Sequence, residues 1–421
     1  MEKIRLVVLT DISTLEASVG EPDDTQSFIS LLLYGNHFDI EGLIATYTVH
    51  CEGITHVDYL RALVAQYDKV QKNLARHDPA YPRAEALLAC IKAGMPRCGM
   101  DCVGENGDTE GSDWIIAAVD RPDPRPLWLL AWGGVTDLAQ ALWRVKKERS
   151  AAGFDRFCKK LRVYAVGDQY DEAGPWIRQN GTGLFYITAY SAVRGMYKGG
   201  DAELVSPQWV NEHIKTGHGP LGDAYPNYDG GDCWGPVRGV KEGDTPSLLY
   251  LLPTGLSDPE HPEWGCWGGR FAGQNNQYVD AQDEALQDNG AWVTVSRWRA
   301  DYQNSFCARL DWCVKSYAQA NHAPVAVVSE PPSLTVRPGD TICLTAKSSY
   351  DPDGDALRFH WWIYGEAGSS KTPVRLAGAD TDTLTLMVPK DAQRGTLHVM
   401  LTLRDAGTPP LCTYHRTLLS I

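Results

Sequence analysis

Long apolar runs are missing from this 421-residue sequence: the strongest, Leu127–Trp132 and Leu248–Leu252, fall far short of the ~20 residues a membrane-spanning helix needs. A secretory signal is missing too. Met1–Arg5 leads into the apolar Leu6–Leu9, but Thr10 and Asp11 end the run before it reaches the roughly 7–15 residues of a signal core. The chain is therefore expected to be cytoplasmic and away from membranes. Basic runs are also absent: 39 Lys and Arg stand against 53 Asp and Glu, and a net charge of −14 repels polyanions, so nucleic acid is not an expected partner. The 11 cysteines are odd in number, and after the closest pair, Cys98 and Cys102, no second pair follows at zinc spacing. Buried free thiols are expected, not a disulfide scaffold. Phosphate-cradling glycine loops of the P-loop or dinucleotide type do not occur, nor does a Gly-x-Ser-x-Gly elbow, an internal repeat or a low-complexity tract.

What is present is ordinary globular composition, 43% apolar and 22% charged, in a chain long enough for two domains. Short apolar runs alternate with amphipathic stretches through the first part. Arg5–Leu9, Ile40–Thr46, Leu127–Trp132, Arg162–Val166 and Leu184–Ile187 read as strands; Thr25–Tyr34, Val57–Tyr67, Asp113–Val119 and Leu138–Lys147 read as helices. Near-continuous apolar strands are those of a parallel sheet covered on both faces. The predicted fold is α/β, an open, mostly parallel sheet with helices on both sides, over residues 1–322. A long helix is predicted over Arg297–Ala320, followed by a linker at His322-Ala323-Pro324. Residues 323–421 then read as strand pieces (Thr335–Arg337, Thr341–Ala346, Leu357–Tyr364, Thr383–Val388, His398–Arg404) between turns, a small antiparallel β-sandwich of the Ig-like or cadherin-like kind. Trp361 and Trp362 should face opposite ways on their strand, one into the core and one to a surface or domain contact.

Open α/β sheets bind ligands beyond the carboxyl ends of their strands, and acidic residues crowd there. Asp11 ends the first strand, and Asp23 and Asp24 open the helix that follows. Carboxylates gathered after one strand repel one another unless a cation neutralises them or a proton is retained for catalysis. Capping of the helix by one of the pair is the simpler account of Asp23 and Asp24, but it leaves Asp11 unexplained. Leu127–Trp132 runs into Gly133-Gly134-Val135-Thr136-Asp137-Leu138-Ala139, where glycines let the backbone approach a ligand, and Asp244 offers a further carboxylate.

At these residues the chain resembles the nucleoside hydrolases: an apolar strand ending in Asp11, the Asp23-Asp24 pair opening a helix, and the Gly133–Ala139 segment. It is more similar still to a nucleoside hydrolase-like branch described as cellulose-binding, found in polysaccharide-degrading bacteria and carrying a C-terminal sandwich. That likeness lies in Leu9-Thr10-Asp11-Ile12, Glu21–Ser27, Gly167-Asp168-Gln169, Gly174–Ile177, Glu242–Ser247 and Asp258–Gly265. The resemblance implies a Ca²⁺ site made by Asp11, Asp24, the carbonyl of Trp132 and Asp244, with Asp23 accepting from a sugar hydroxyl and Asp11 serving as general base to a water. It departs from the nucleoside hydrolases at three places: the step from Asp11 to Asp23 is longer, Leu9 replaces an additional aspartate, and Gly243 stands where several members place a histidine that protonates the leaving base. A glycosidase acting on a small carbohydrate or nucleoside-like substrate is implied, with a carbohydrate-binding or accessory protein without turnover as the alternative. A homo-oligomer is compatible with the sequence, which does not fix the assembly.

The remaining candidates lie in loops. Residues 255–271 carry Glu260, His261, Glu263, Trp264 and Trp267 without helical or strand periodicity. His261 is a candidate leaving-group acid and the other four are candidate sugar contacts, against a self-packed loop with both tryptophans buried. Asp168 and Gln169 follow a strand and are expected at sugar hydroxyls, whereas Asp171 reads as structural. Gly104–Ser112 suits either the pocket wall or a helix start capped by Ser112. Asp351-Pro352-Asp353-Gly354-Asp355 reads as a tight turn rather than a cation loop, and Gln274–Gln277 as an exposed turn.

Overall fold

The structure is a computed structural model that describes residues 2–17, 20–50, 53–169, 172–232, 235–283 and 290–421. Its principal sheet is built from the apolar runs seen in the sequence. β1 (Ile4–Thr10), β2 (Phe38–Ala45), β3 (Ile91–Ala93), β4 (Leu127–Ala131), β5 (Leu161–Val166) and β6 (Phe185–Ala189) lie parallel in the order β3-β2-β1-β4-β5-β6. A separate hairpin, β7 (Tyr228–Asp232) and β8 (Gly235–Gly239), precedes two edge strands. Of these, β10 (Gln277–Asp280) adds parallel to β6 and β9 (Phe271–Gln274) closes the edge antiparallel. Asn275 and Asn276, both at positive φ (56° and 62°), make the two-residue turn between them, as the exposed polar quartet predicts.

Side-chain alternation shows why the strands are apolar throughout. Leu6 and Val8 of β1, with Trp128 and Leu130 of β4, enter one buried cluster with α1 (Pro22–Leu33) and α2 (Val57–His77); Val7, Leu9, Leu129 and Ala131 enter a second on the opposite face. That second layer comprises α4 (Glu110–Asp120), α5 (Thr136–Glu148), α6 (Ala151–Lys160) and α7 (Ala173–Asn180), the short α3 (Ala84–Ala89) lying before β3. The predicted helix Arg297–Ala320 is broken: Arg299–Val314 is α-helical and Tyr317–Gln319 a separate tight turn.

The C-terminal part forms two facing sheets. β11 (Ser333–Thr335), β13 (Arg358–Ile363), β16 (Thr396–Arg404) and β17 (Cys412–Ser420) pair in the order β11-β17-β16-β13, against β12 (Thr341–Thr345), β15 (Thr383–Met387) and β14 (Arg375–Ala377) in the order β12-β15-β14. Leu344, Trp361, Leu386, Val399 and Leu401 fill the space between them. One pairing, β11 with β17, is parallel, so the sandwich is not wholly antiparallel. Trp361 is core, while Trp362 turns to Trp298 of the first domain at 6.0 Å between rings. In the Asp351–Asp355 turn, Asp351 accepts the backbone N–H groups of Asp353 (2.8 Å) and Asp355 (3.1 Å), and Asp353 accepts from the His322 backbone at 2.7 Å, tying the sandwich to the preceding segment.

Nine described cysteines are free thiols, five of them buried, and Cys343 is exposed; Cys51 and Cys233 lie outside the described residues. No helix among the described residues is long and apolar enough to cross a membrane.

Candidate functional site

Strand order reverses direction between β1 and β4, the switch point at which an open sheet leaves a crevice beyond its strand ends. Asp11 follows β1 there, and Trp132 follows β4. Gly133 is required beside them, since a Cβ at that position would lie 2.6 Å from Asp11 Cβ and Cγ. A pocket of about 340 Å³ opens at this point, lined among others by Asp11, Glu21, Asp23, Asp24, Trp132 and Asp244.

Local chemistry explains how Asp244, more than 200 residues from Asp11, Asp23 and Asp24 in sequence, joins them. α1 is buried along its whole length, so its polar residues must be satisfied by neighbours. The Gln26 side chain donates to the carbonyls of Pro226 (2.7 Å) and Gly239 (2.9 Å) and accepts the N–H groups of Lys241 (2.8 Å) and Glu242 (2.9 Å), while Thr245 Oγ1 donates to Ser27 Oγ at 3.0 Å. This clamp sets residues 241–245 against the first turn of α1. From the other side, Ser247 Oγ donates to the Asp244 carbonyl (2.6 Å) and accepts from the Trp132 indole (2.8 Å). Neither Asp23 nor Asp24 caps the helix. Glu21 holds the N-cap position without a side-chain cap bond, and both aspartates sit in the first turn, where the positive end of the helix dipole favours them.

The resulting electrostatics are unusual for a buried site. Asp24 is held well above the ordinary carboxyl range, first by burial and then by Asp11, Asp244 and Asp23; Asp244 is raised in the same way by burial, Asp23 and Asp11. Thr10 Oγ1 donates to Asp24, yet Asp23 Oδ1 and Asp244 Oδ2 are buried oxygens with no hydrogen-bond partner. Lys241 compensates only the outer edge: its ammonium lies 3.1 Å from Asp23 Oδ2 and 3.5 Å from Glu21 Oε2. Burial opposes its charge, but those two carboxylates override that and raise its pKa. Among the described residues no lysine or arginine pairs with Asp24 or Asp244. Carboxylate oxygens of Glu21, Asp23 and Asp24 also come within 4.8 Å of one another. Orphaned buried oxygens in an all-oxygen donor set fit a hard divalent cation such as Ca²⁺.

The sequence-predicted residues separate into two groups. Asp11, Asp23, Asp24, Trp132, Asp168, Gln169 and Asp244 all line the pocket. Within it, the carboxylate of Asp168 is committed to an ion pair with Arg178 and to the Tyr186 hydroxyl (2.9 Å), which ties α7 to β6. The Gln169 amide donates to the Trp132 carbonyl, the oxygen assigned to the cation by resemblance, and to Val166 O at 3.1 Å. Asp171 lies outside the described residues.

Residues 260–267 are not at the pocket. Glu260 pairs with Arg162 (3.0 Å) at the amino end of β5, roughly 13 Å of strand from the pocket residue Val166. His261 bonds its neighbour Glu263 at 3.0 Å and stacks on Trp264 at 4.0 Å. Trp264 packs edge-on to His398 of the sandwich, and the buried Trp267 donates to Tyr414 Oη at 3.3 Å. The expected roles for His261, Glu260, Glu263, Trp264 and Trp267 are corrected accordingly: the loop 255–271 joins the two domains because its aromatic rings bury against the sandwich. The Gly104–Ser112 loop is likewise held away, by Gln140 and Arg144 on α5, and Thr109 rather than Ser112 is the N-cap of α4, with Ser112 reciprocating from the third helical position.

Sequence reasoning passed over the cationic Lys241 and Arg194, and Tyr190 and Tyr197, which also line the pocket. Tyr190 immediately follows β6, so the strand-end rule already pointed to it. His50 bonds Glu21 Oε1 at 3.0 Å from an exposed position.

A sheet of this order with carboxylates gathered at its switch point is the architecture of nucleoside hydrolase-like proteins. The chain belongs to the family described as "Cellulose-binding Sde182, nucleoside hydrolase-like domain", whose model matches residues 5–271. The model "Cellulose-binding protein Sde0182, C-terminal domain" matches residues 341–421. A solved structure from Saccharophagus degradans, titled as a nucleoside hydrolase-related hypothetical protein associated with carbohydrate metabolism, is 33% identical, with a TM-score of 0.84 over 99% of each chain. No curated protein matches the chain significantly.

Proposed function

We propose that the pocket hydrolyses a glycosidic bond, N-ribosyl or O-glycosyl, of a small sugar whose diol is held over a bound Ca²⁺. The observation that carries this reading is the pair of buried oxygens without partners, Asp23 Oδ1 and Asp244 Oδ2, inside a cluster of five carboxylates in which Lys241 reaches only Asp23 and Glu21. Asp11, Asp24, Asp244 and the Trp132 carbonyl would hold the ion. When bound, it supplies Lewis-acid positioning of a vicinal diol and a water. Asp11 takes one proton from the water, whose oxygen bonds the anomeric carbon as the bond to the leaving group breaks and its electron pair departs with that group. Asp23, steadied by Lys241, accepts a hydrogen bond from a ring hydroxyl. With glycine at 243 and no histidine among the described lining residues, the pocket favours leaving groups that depart without a proton donor.

Screening nitrophenyl furanosides, pyranosides and nucleosides with Ca²⁺ tests this: turnover by the wild type that falls at least about a hundredfold in Asp11→Asn is expected, in line with the usual weight of a general base. Turnover unchanged by that substitution contradicts it. A second reading, sugar binding without turnover, is favoured by one observation: Lys241 already occupies the Asp23–Glu21 edge. Sugar binding with no hydrolysis of any of these probes would establish it.

A further inference from the structure

We infer that the cleft between the two domains is a second saccharide site, separate from the carboxylate pocket, that takes an uncharged β-linked pyranose chain. The cleft encloses about 880 Å³, against about 340 Å³ for the carboxylate pocket, and shares no lining residue with it. Its aromatic wall is made by Trp298 from the first domain and by Trp362 of β13, while Phe359 borders the cleft from the strand face that packs on the sandwich core. The Trp298 side chain is buried, 7% exposed, with its indole N–H shielded from solvent and without a hydrogen-bond partner, so it backs the wall rather than projecting into the cleft. Trp362 differs, donating to Thr402 Oγ1 at 3.1 Å, so its ring is fixed in place.

Most of the polar groups around this wall are already partnered. Arg404 pairs with Asp301, and His360 bonds Asp380 at 2.9 Å. Arg358 is exposed at the cleft, and its guanidinium makes no hydrogen bond or ion pair among the described residues. Asp301 and Asp380 against Arg358 and Arg404 leave little net field, which disfavours a polyanion, and the density of polar groups disfavours a lipid chain or an apolar helix. A ligand flat and apolar on its face, and lined with hydroxyls at its edge, satisfies both sets of groups. A β-linked pyranose chain with equatorial hydroxyls has this shape: axial C–H groups meet the aromatic wall, and the ring edge meets the exposed Arg358 and His360. The larger volume suits several rings in a row. Domain junctions are a preferred place for such sites.

The probe is cellohexaose, titrated calorimetrically into the full chain, with Asp11→Asn measured alongside so that this inference and the hydrolytic reading fail independently. Wild type is expected to bind, Trp362→Ala to bind about tenfold or more weakly and Arg358→Ala several-fold more weakly. Trp362→Phe, which keeps an aromatic ring against Trp298, guards against a folding artefact and should bind better than the alanine variant. Absence of binding by the wild type overturns the inference. So does binding unchanged in Arg358→Ala and both Trp362 variants, loss confined to Asp11→Asn, or a preference for oligogalacturonate over cellohexaose.

Discussion

Two buried polar regions of this molecule are built on opposite rules. At the domain junction the deeply buried charges of Asp283 and Arg416 are answered among the described residues. Asp283, fully buried, receives Arg270 (2.6 Å), Arg297 (2.7 Å) and the Tyr364 hydroxyl (3.3 Å). Arg416 crosses from the sandwich to the carbonyls of Leu256 (2.8 Å), Trp264 (3.2 Å) and Gly265 (3.2 Å) and contacts His398 Nδ1 at 2.6 Å. Gly255, at φ 85°, leaves room for the Tyr414 carbonyl, which a Cβ would meet at 1.9 Å. In the carboxylate pocket, like charges converge and two oxygens are left without partners. The difference separates groups retained for structure from groups retained at a cost to structure, and it is the second kind that marks a functional site.

The contrast can be broken most forcefully by removing a carboxylate from each region. Asp283→Ala should destabilise the protein by about 3–5 kcal/mol, because two guanidiniums lose their buried partner. The measurement is chemical denaturation followed by tryptophan fluorescence. In chelator, Asp24→Asn should do the reverse and stabilise by ~1 kcal/mol, since it removes a like charge from a buried cluster at little cost in volume. Destabilisation of similar size by both substitutions would erase the distinction.

A change of pH should also move the two regions in opposite directions. Asp24 and Asp244 titrate above their unfolded value near 3.8, so the folded pocket retains protons that the unfolded chain has lost. Their contribution is favourable at acid pH and falls as pH rises through that window. His398 is lowered to about 3 from 6.5, by burial first and then by Arg416 and His261. Its contribution is complete above 6.5 and is lost as pH falls towards 3. Hydrogen exchange in chelator, corrected for intrinsic rates, should therefore show residues 21–26 better protected at pH 5 than at pH 8 and residues 397–400 less protected. Calcium should abolish the first difference and leave the second. The smallest effect expected is for Trp267→Phe, about 1 kcal/mol of stability from the lost bond to Tyr414 and some packing, with no change in the pocket.

Much of this was legible in the sequence. Apolar runs gave strands within a residue or two, because strands buried on both faces leave no polar positions to confuse the pattern. Strand ends located Asp11, Trp132 and Asp168. Less legible were helices such as Ala173–Asn180, whose opening Gly174-Pro175 reads as a break although proline is tolerated in a first turn. β17 was overlooked beyond the last predicted strand. The loop 255–271 misled for a physical reason: aromatic rings among carboxylates suit a sugar and a domain contact equally, and only the position of Glu260 at the amino end of β5 decides between them. Lys241 was invisible because its meaning depends on Gln26, a residue 215 positions earlier that fixes its backbone.

Calorimetric titration of the chelator-treated protein with Ca²⁺, beside Asp244→Asn, addresses the central claim most directly. One binding event with release of protons is expected for the wild type and its loss in the variant, as carboxyls held protonated by burial ionise to take the ion. No binding by the wild type, or equal binding by both proteins, would contradict the account.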